Sequence, residues 1–337
     1  MTGIDFLSCD WGTTSFRLRW VCGAERNVVR EIREPAGIRS LYDEAVRGGA
    51  KNEAERAEVF ARFLRGKLEE LLAHENPSPR PMPLVISGMA SSSVGWRELP
   101  YARTPFPLDG SGLRSQELIW NGPGWLGPTY LFSGVATEYE MMRGEETEIV
   151  GLMAEPDLAA LRKDCLLILP GTHSKHVWIE NASVVDFRTF MTGELFEVMG
   201  RQSLLRASLD MTASTAGDSF SETDRAAFRE GVLWAKERGL AGGIFRVRTR
   251  AVLGGRPLTE NTRFFSGVLI GAELESIGRG SETRPVILAA TRGVAELYGL
   301  ALKIITDPAR KSVQLAPEQV ERAAITAHAL FLQNRPC

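Results

Sequence analysis

The sequence has few cysteines, and no two of them are close together. Its four cysteines (Cys9, Cys22, Cys165 and Cys337) form neither a Cys-x-x-Cys motif nor a zinc-ligand spacing. Scattered thiols in a chain of this length indicate a reducing compartment. No apolar run reaches the roughly 18 residues of a membrane-spanning helix, and the first residues lack the pattern of a secretory signal. We therefore expect a cytoplasmic protein that does not contact a membrane.

The chain also lacks an excess of charge of either sign. Lys and Arg number 40 and Asp and Glu number 42, so the formal net charge is −2. Non-specific nucleic-acid binding needs a basic surplus, so no nucleic-acid partner is expected. With 44% hydrophobic residues in 337, the sequence is typical of a folded protein of about two domains. We place these at residues 1–155 and 156–337.

Helical and strand patterns alternate along the sequence, which indicates an α/β fold. Residues 53–73 have apolar positions at helical spacing, and a second helix is expected over residues 145–154. Residues 221–224 (SETD) fit a capping box that begins a helix, and Gly239 is expected to end it. In residues 15–21, Phe16, Leu18 and Trp20 alternate with arginines, as in a half-buried strand.

A short motif recurs half a chain apart. Residues 12–15 (Gly-Thr-Thr-Ser, the first hairpin) and residues 171–174 (Gly-Thr-His-Ser, the second hairpin) are offset by 159 positions (171 minus 12). Each follows an apolar strand and precedes another strand. Two similar hairpins suggest two similar domains.

Such hairpins suit phosphate binding. Glycine lets the backbone approach a ligand closely, and consecutive turn amides form an anion-binding nest. Gly12, Thr13, Thr14, Gly171 and Thr172 are therefore candidates to bind the phosphates of ATP. Asp10, at the end of the first strand, is the candidate Mg²⁺ ligand, because Mg²⁺ usually takes one or two carboxylates and keeps its waters. The alternative is two ordinary Gly-Thr turns; neither is a Walker A loop or a dinucleotide fingerprint.

Six segments together resemble the 2-dehydro-3-deoxygalactonokinase family, within the sugar-kinase, Hsp70 and actin superfamily. The segments are 10–17, 87–96 (SGMASSSVGW), 142–151 (MRGEETEIVG), 170–175 (PGTHSK), 186–194 (DFRTFMTGE) and 265–273 (FSGVLIGAE). The resemblance implies two ribonuclease-H-like (actin-like ATPase) domains with a cleft between them. It also implies transfer of the γ-phosphate of ATP to the 6-hydroxyl of 2-dehydro-3-deoxy-D-galactonate, in galactonate catabolism.

The candidate catalytic base is a glutamate at the start of the helix at residue 145. A phosphotransferase needs a carboxylate that orients the acceptor hydroxyl and takes its proton. Resemblance to related kinases and phosphatases points to Glu145, with Glu146 second. The alternative is that acids in a first helical turn only favour the helix dipole.

Further candidates lie near the second hairpin and in a small-residue loop. His173 and Lys175 are assigned to the nucleotide, although His173 is equally read as a packed turn residue. Arg188 suits a substrate carboxylate, the alternative being a surface ion pair. The remaining substrate candidates are Ser91, Ser92, Trp96, Thr192 and Glu194. Gly267 and Gly271 let a nucleotide approach, or simply let two helices pack closely.

Two other functions stay open at this stage. One is a phosphohydrolase of the exopolyphosphatase type, which would release phosphate without a sugar acceptor. The other is a non-enzymatic, actin-like nucleotide-binding module. A homodimer is compatible with the sequence, but neither the oligomeric state nor the residue that binds the substrate carboxylate follows from it.

Overall fold

The computed structural model describes residues 5–73, 81–212, 220–278 and 283–335, and they form an α/β protein. The strands are β1 Phe6–Trp11, β2 Phe16–Cys22, β3 Asn27–Glu34, β4 Met82–Gly88, β5 Ala102–Arg103, β6 Phe106–Pro107, β7 Ser115–Leu118, β8 Leu126–Phe132, β9 Val135–Ala136, β10 Met141–Met142, β11 Asp164–Leu169, β12 Ser174–Glu180, β13 Ser183–Phe190, β14 Val286–Leu288 and β15 Ser312–Gln314. The helices are α1 Ile38–Arg47, α2 Glu53–Leu72, α3 Glu145–Met153, α4 Thr192–Gln202, α5 Glu222–Gly243, α6 Arg246–Val252, α7 Leu258–Gly278, α8 Arg292–Ile305 and α9 Pro317–Gln333. Short 3₁₀ turns lie at Met89–Ser91, Pro156–Lys163 and Leu204–Ser208.

The chain forms two compact units. The first comprises residues up to 162, residues 182–185 and residues from 321 onward; the second comprises residues 163–181 and 186–320. The sequence-based division assigns everything after residue 155 to the second domain, whereas most of α9 lies in the first unit. The reason is apolar packing, since Ile325 and Ala329 of α9 cluster with Phe6 and Val21. In the residues that the structure describes, no helix is long and apolar enough to cross a membrane.

The first unit is built on a mixed sheet of order β3-β2-β1-β4-β8-β7. Strands β1, β2 and β3 are antiparallel neighbours, and β4 and β8 run parallel to β1. The second unit repeats this plan with β13-β12-β11-β14-β15, in which β11 pairs antiparallel with β12 and parallel with β14. Antiparallel strands followed by parallel ones confirm the expected ribonuclease-H-like fold class in each unit.

Both faces of the first sheet are covered by helices, which decides the surroundings of each side chain of β1. Leu7, Cys9 and Trp11 pack against the core that α1 and α2 complete. The opposite face of β1 meets α9, where Ser8 Oγ hydrogen-bonds His328 Nδ1 at 2.9 Å. Because side chains alternate along a strand, Asp10 shares the face of Ser8.

The same double covering corrects the expectation for β2. The alternation in β2 predicts that Arg19 faces solvent, but only 2% of it is exposed. Arg19 lies opposite Ser8, on the face of the sheet that α9 covers through His328. Its guanidinium pairs with Glu31 at 2.5 Å, which compensates the buried charge. Strict alternation of exposed and buried residues therefore fails in β2.

Three helix predictions can be compared directly with the structure. The helices expected at residues 53–73 and 145–154 are α2 and α3. The capping box is also confirmed: Asp224 N donates to Ser221 Oγ at 3.1 Å, and Ser221 N donates to Asp224 Oδ2 at 3.0 Å. Gly239 has φ 67° and breaks the helical geometry, but α5 continues beyond this kink to Gly243.

Candidate active site

The first part of the candidate site lies at the carboxyl end of β1. Asp10 pairs across the sheet with Arg17 of β2, and directly opposite residues on neighbouring strands share a face. Burial raises the pKa of Asp10, Arg17 and Arg19 oppose the rise, and the charge of Glu145 adds to it. In the part of the chain that the structure describes, no hydrogen-bond donor contacts the Asp10 carboxylate.

Two glycines bring the start of α3 to this strand end. Gly88, opposite Trp11 in the sheet, has φ 95°, and a Cβ there would lie 2.6 Å from Trp11 O. Gly144, immediately before α3, has φ 111°, and a Cβ there would lie 3.2 Å from Gly88 Cα. Both positions need glycine for conformation and for space. Through this close packing, the first turn of α3 lies beside the ends of β1 and β4.

The acids of that turn differ in their surroundings. Glu146 is 1% exposed; its carboxylate accepts from Gly144 N at 2.7 Å and from Thr147 Oγ1 at 3.0 Å. Burial, and then the charge of Glu145, raises the pKa of Glu146 to about 8. Glu145 is half-buried, and its Oε2 accepts from Arg143 N at 3.0 Å. The Glu146 carboxylate is therefore already hydrogen-bonded to the first turn of α3, while the Glu145 side chain is the more accessible of the two.

Glu148 extends this cluster and was not singled out by the sequence reasoning. It lies one helical turn after Glu145, so both are on one face of α3. Burial raises its pKa to about 8, with further contributions from Asp10, Glu145 and Glu146. The helical spacing was the signal that could have found it. Arg17 was also missed as a site residue, although it lies opposite Asp10 and its charge lowers the pKa of both Asp10 and Glu148.

The donor set of this cluster suits Mg²⁺ bound largely through water. The described residues contain no preformed group of three or more His, Cys, Asp or Glu that could hold a metal ion. Mg²⁺ needs only one or two carboxylates when phosphates and waters complete its octahedron. Among the described residues no donor contacts the Asp10 carboxylate, so a cation there would relieve the cost of its burial.

The first hairpin is exposed, and backbone hydrogen bonds from the start of α1 anchor it. Gly12 N donates to Ser15 O at 2.9 Å, which closes the turn. Ile38 N and Arg39 N donate to the carbonyls of Gly12 and Thr13 at 3.0 and 3.1 Å. These bonds fix the loop, and the side chains of Thr13 and Thr14 stay exposed.

The second hairpin lies against the start of α4. Glu194 N donates to Thr172 O at 3.0 Å, and Glu194 Oε2 contacts His173 Nε2 at 2.6 Å. A Cβ on Gly193 would lie 2.6 Å from Gly171 O, so only glycine fits there. Lys175 is 3% exposed, and its Nζ donates to His173 O at 3.0 Å. The predicted nucleotide residues Gly171, Thr172, His173 and Lys175 thus share one cluster with the predicted substrate residues Thr192 and Glu194.

Arg188 contacts a residue outside this cluster. It is exposed on β13, and its guanidinium lies over the ring of Trp178 at 5.1 Å from the ring centroid. Trp178 is four residues along β12 from Ser174, a distance of about 13 Å in a strand. The stacking occupies one face of the guanidinium, and its role towards a carboxylate stays a prediction.

The loop candidates of the first unit are buried. Ser91 Oγ accepts from Arg143 Nη1 at 2.5 Å, and Ser92 Oγ donates to Met89 O at 2.7 Å. Trp96 is 4% exposed and packs edge-on against Trp120 and Trp11, at 5.2 and 6.4 Å between ring centroids. These contacts hold the loop itself, and a direct substrate contact of the three side chains stays a prediction.

Gly267 and Gly271 lie where α7 crosses α5. A Cβ on Gly267 would lie 2.2 Å from Phe228 O, and one on Gly271 would lie 2.9 Å from Val232 Cα. Close helix packing, the alternative considered from the sequence, accounts for both glycines. Neither needs a nearby nucleotide to explain it.

Comparisons with known proteins agree on one family. The family model described as 2-keto-3-deoxy-galactonokinase matches residues 10–327. The "Probable 2-dehydro-3-deoxygalactonokinase" of Rhizobium meliloti (strain 1021) is 31% identical over 305 residues, which cover 88% of this chain and 89% of the relative. The 2-dehydro-3-deoxygalactonokinase of Escherichia coli (strain K12) is 31% identical over 280 residues, covering 81% of this chain and 80% of the relative.

A solved structure extends the similarity to the fold. It is a crystal structure from Sinorhizobium meliloti whose assignment as a 2-dehydro-3-deoxygalactonokinase is provisional. It superposes with a TM-score of 0.75 at 28% sequence identity, and the alignment covers 98% of this chain and 100% of that one. The similarity therefore covers both units.

Proposed function

Because the chain belongs to the 2-keto-3-deoxy-galactonokinase family, we propose that it transfers the γ-phosphate of ATP to the 6-hydroxyl of 2-dehydro-3-deoxy-D-galactonate. The observation that carries the proposal is the family match from residue 10 to residue 327. It spans the acidic cluster of the first unit and both hairpins. The step belongs to galactonate catabolism, and the acceptor is a small sugar acid.

Glu145 is the proposed base. In phosphoryl transfer the carboxylate orients the attacking hydroxyl and accepts its proton as the bond to phosphorus forms. Glu145 is better suited than Glu146, because the Glu146 carboxylate is 1% exposed and bonded to Gly144 and Thr147. The Gly144–Gly88 contact keeps the Glu145 backbone close to the end of β1.

Asp10 is the proposed residue for Mg²⁺, together with water and the phosphates of ATP. When bound, Mg²⁺ neutralises phosphate charge and lowers the repulsion that an attacking oxygen meets. Arg17, opposite Asp10, adds a fixed positive charge beside the same strand end. It balances the Asp10 carboxylate and leaves guanidinium donors for phosphate oxygens.

The two hairpins are the proposed phosphate-binding turns, one in each unit. Gly12, Thr13 and Thr14 are anchored through α1, and Gly171 and Thr172 are anchored through α4. A turn that is already ordered loses little conformational entropy when phosphate binds. The bonds to α1 and α4 use the carbonyl groups of Gly12, Thr13 and Thr172. Gly12 N and Gly171 N are bonded within their own turns, so we assign the anion-binding nest to the amides of Thr13, Thr14 and Thr172.

A coupled assay of ADP release tests the proposal. The enzyme is given ATP and Mg²⁺ with 2-dehydro-3-deoxy-D-galactonate, with other 2-keto-3-deoxy sugar acids, with plain hexoses, or with no acceptor. We expect turnover with the keto-deoxy acids only. Better turnover of hexoses would refute the substrate assignment, and equal phosphate release without any acceptor would favour a phosphohydrolase, which the family match does not support.

A further inference from the structure

The second unit contains a buried glutamate for which the proposed chemistry has no direct use. Glu273 of α7 is 3% exposed, and its carboxylate accepts three hydrogen bonds. His176 Nε2 donates at 2.9 Å, Tyr298 OH donates at 2.7 Å, and Thr192 Oγ1 donates to Oε2. The donors come from β12, α8 and α4, so one carboxylate joins elements that are far apart in sequence.

The number of hydroxyl protons determines which group donates and which accepts in each hydrogen bond of this network. Tyr298 has a single hydroxyl proton, and donating it to Glu273 leaves its oxygen as an acceptor. Ser174 Oγ, 3.0 Å away, must therefore donate to Tyr298 OH. Ser174 Oγ in turn accepts from Gly171 N at 3.4 Å. The chain of donors runs from the second hairpin to Glu273.

The same carboxylate holds the other side of the cluster. Through Thr192 it fixes the first residue of α4, and the next two residues contact the hairpin: Gly193 packs on Gly171, and Glu194 N bonds Thr172 O. The exposed turn at residues 171–173 is thus attached to Glu273 by two routes, one through Tyr298 and Ser174 and one through Thr192.

Stability alone is a poor reason for such an arrangement. Isolating a carboxylate from water is costly, and apolar residues of similar volume often stabilise a core as well or better. A fully bonded polar network instead specifies one arrangement of the groups it joins. Orientation of the exposed turn is the property that this network adds.

We propose that Glu273 is a positioning residue, which orients the second hairpin for the phosphates of a nucleotide through Tyr298 and Thr192. The inference rests on the proposed kinase function for the identity of the ligand. Tyr298 and Glu273 are each 3% exposed, so they act through the hairpin and not by touching the nucleotide.

The test measures nucleotide binding separately from turnover. Tyr298→Phe removes one hydroxyl, Glu273→Gln keeps an acceptor for Tyr298 and Thr192, and Glu273→Met removes every acceptor. Thr262→Val is the matched control, since Thr262 of α7 is also buried and its Oγ1 accepts from Asp210 N at 2.9 Å. For each full-length variant, calorimetry gives the Kd of Mg·ATP without sugar acid, and kinetics give kcat and both KM values.

We expect Tyr298→Phe to raise the Kd and KM of ATP about 3- to 10-fold, the range of one lost hydrogen bond. The KM for the sugar acid should change less than the KM of ATP. The loss should be larger in Glu273→Met and smaller in Glu273→Gln, and amide exchange at Thr172 and His173 should accelerate in the same order. Thr262→Val should lower the melting temperature without changing either KM.

An unchanged Kd for ATP in folded Tyr298→Phe and Glu273→Gln would overturn the proposal, as would a wild-type protein that does not bind ATP. If Glu273→Met fails to fold, the other two variants still decide. If no sugar acid is phosphorylated, the proposed function fails, but the calorimetric comparison still tests Glu273.

Discussion

The two hairpins follow the same kind of strand in their own units, but the residues around them differ. In the first unit β1 ends at an acidic cluster, where Asp10 is paired with Arg17 and neighbours the acids of α3. The residue 159 positions after Asp10 is Leu169, which has no charge, and the second hairpin is connected to the hydrogen-bond network around Glu273. A repeated backbone motif therefore does not imply repeated chemistry. The first region concentrates charge, and the second fixes the orientation of a turn.

This contrast predicts that the largest catalytic losses come from the first region. Glu145→Gln should lower kcat about 100- to 10,000-fold, because the variant lacks the proposed base. At about 1.4 kcal/mol per tenfold, the barrier rises by about 3–5 kcal/mol. Steady-state kinetics measure the effect, and the KM for ATP should change little.

Glu146→Gln is the matched control. Its carboxylate is 1% exposed and bonded to Gly144 N and Thr147 Oγ1, so we expect less than a tenfold change in kcat. Near-full turnover in a folded Glu145→Gln enzyme, or a larger loss in Glu146→Gln, would show that the base is assigned to the wrong residue.

Asp10→Asn should have the next largest effect. Loss of the proposed metal ligand should lower kcat/KM at least about 100-fold, because loss of a group that only supports a ligand already lowers affinity or activity about 10- to 100-fold. The Mg²⁺ concentration for half-maximal rate should rise, which titration at fixed ATP measures. Asp43→Asn, on the exposed side of α1, should leave both quantities unchanged. An unaltered Mg²⁺ requirement in Asp10→Asn would contradict the proposal that the acidic cluster of the first region binds Mg²⁺.

In the second region we expect changes in stability and nucleotide affinity instead. Gly193→Ala puts a Cβ 2.6 Å from Gly171 O, a backbone atom that cannot easily move. Overpacking of this kind costs about 1–3 kcal/mol, and the displaced turn should bind ATP more weakly. Denaturant unfolding and calorimetry measure the two effects.

Gly66→Ala serves as the control for Gly193→Ala. Gly66 is exposed within α2, and a Cβ there meets nothing within 4 Å. Alanine should stabilise this helix by up to about 1 kcal/mol without altering ATP affinity. If the two alanine variants had the same stability and the same ATP affinity, the contact between α4 and the second hairpin would not contribute to nucleotide binding.

A pH dependence of stability also belongs to the first region. The pKa of Glu148 is raised from 4.5 to about 8, so between these values the folded state holds a proton that the unfolded state has lost. Stability therefore falls as pH rises from about 4.5 to 8 and levels off above that. Glu148→Gln removes this loss, so its melting temperature should exceed that of the wild type at pH 9 and match it near pH 5.

Exposed Glu138→Gln is the control for this pH profile. Melting curves of both variants and the wild type between pH 5 and 9 make the measurement. A melting temperature of Glu148→Gln that lies below the wild type at pH 9 would show that the negative charge on Glu148 is stabilised rather than opposed by its neighbours.

Sequence patterns succeeded where the interactions are local. The period of apolar residues predicted α2, a capping box predicted the start of α5, and short polar motifs predicted both hairpins. They failed where another element covers a residue. Arg19 reads as an exposed position of β2, but α9, about 300 residues later in the chain, buries it. Trp96 reads as part of an open loop, but Trp11 and Trp120 enclose it.

The candidate site shows the same limit. Asp10, Glu145 and the hairpins could be proposed from their own short motifs, and the six motifs together resembled one family. Glu273 is the last residue of one of those motifs, but its partners His176, Thr192 and Tyr298 lie 97, 81 and 25 residues away. No local pattern predicts which of many polar residues will meet.

What the sequence determined by itself was the set of elements and the chemical groups at their ends, because helix periods, caps and turns depend on neighbours along the chain. The tertiary structure decided which of these groups are accessible and which already have hydrogen-bond partners within the protein. It placed Glu146 inside a helix start and Glu145 beside it, although the two are adjacent and identical in type. Burial and charge act through space, and only the folded chain sets those distances.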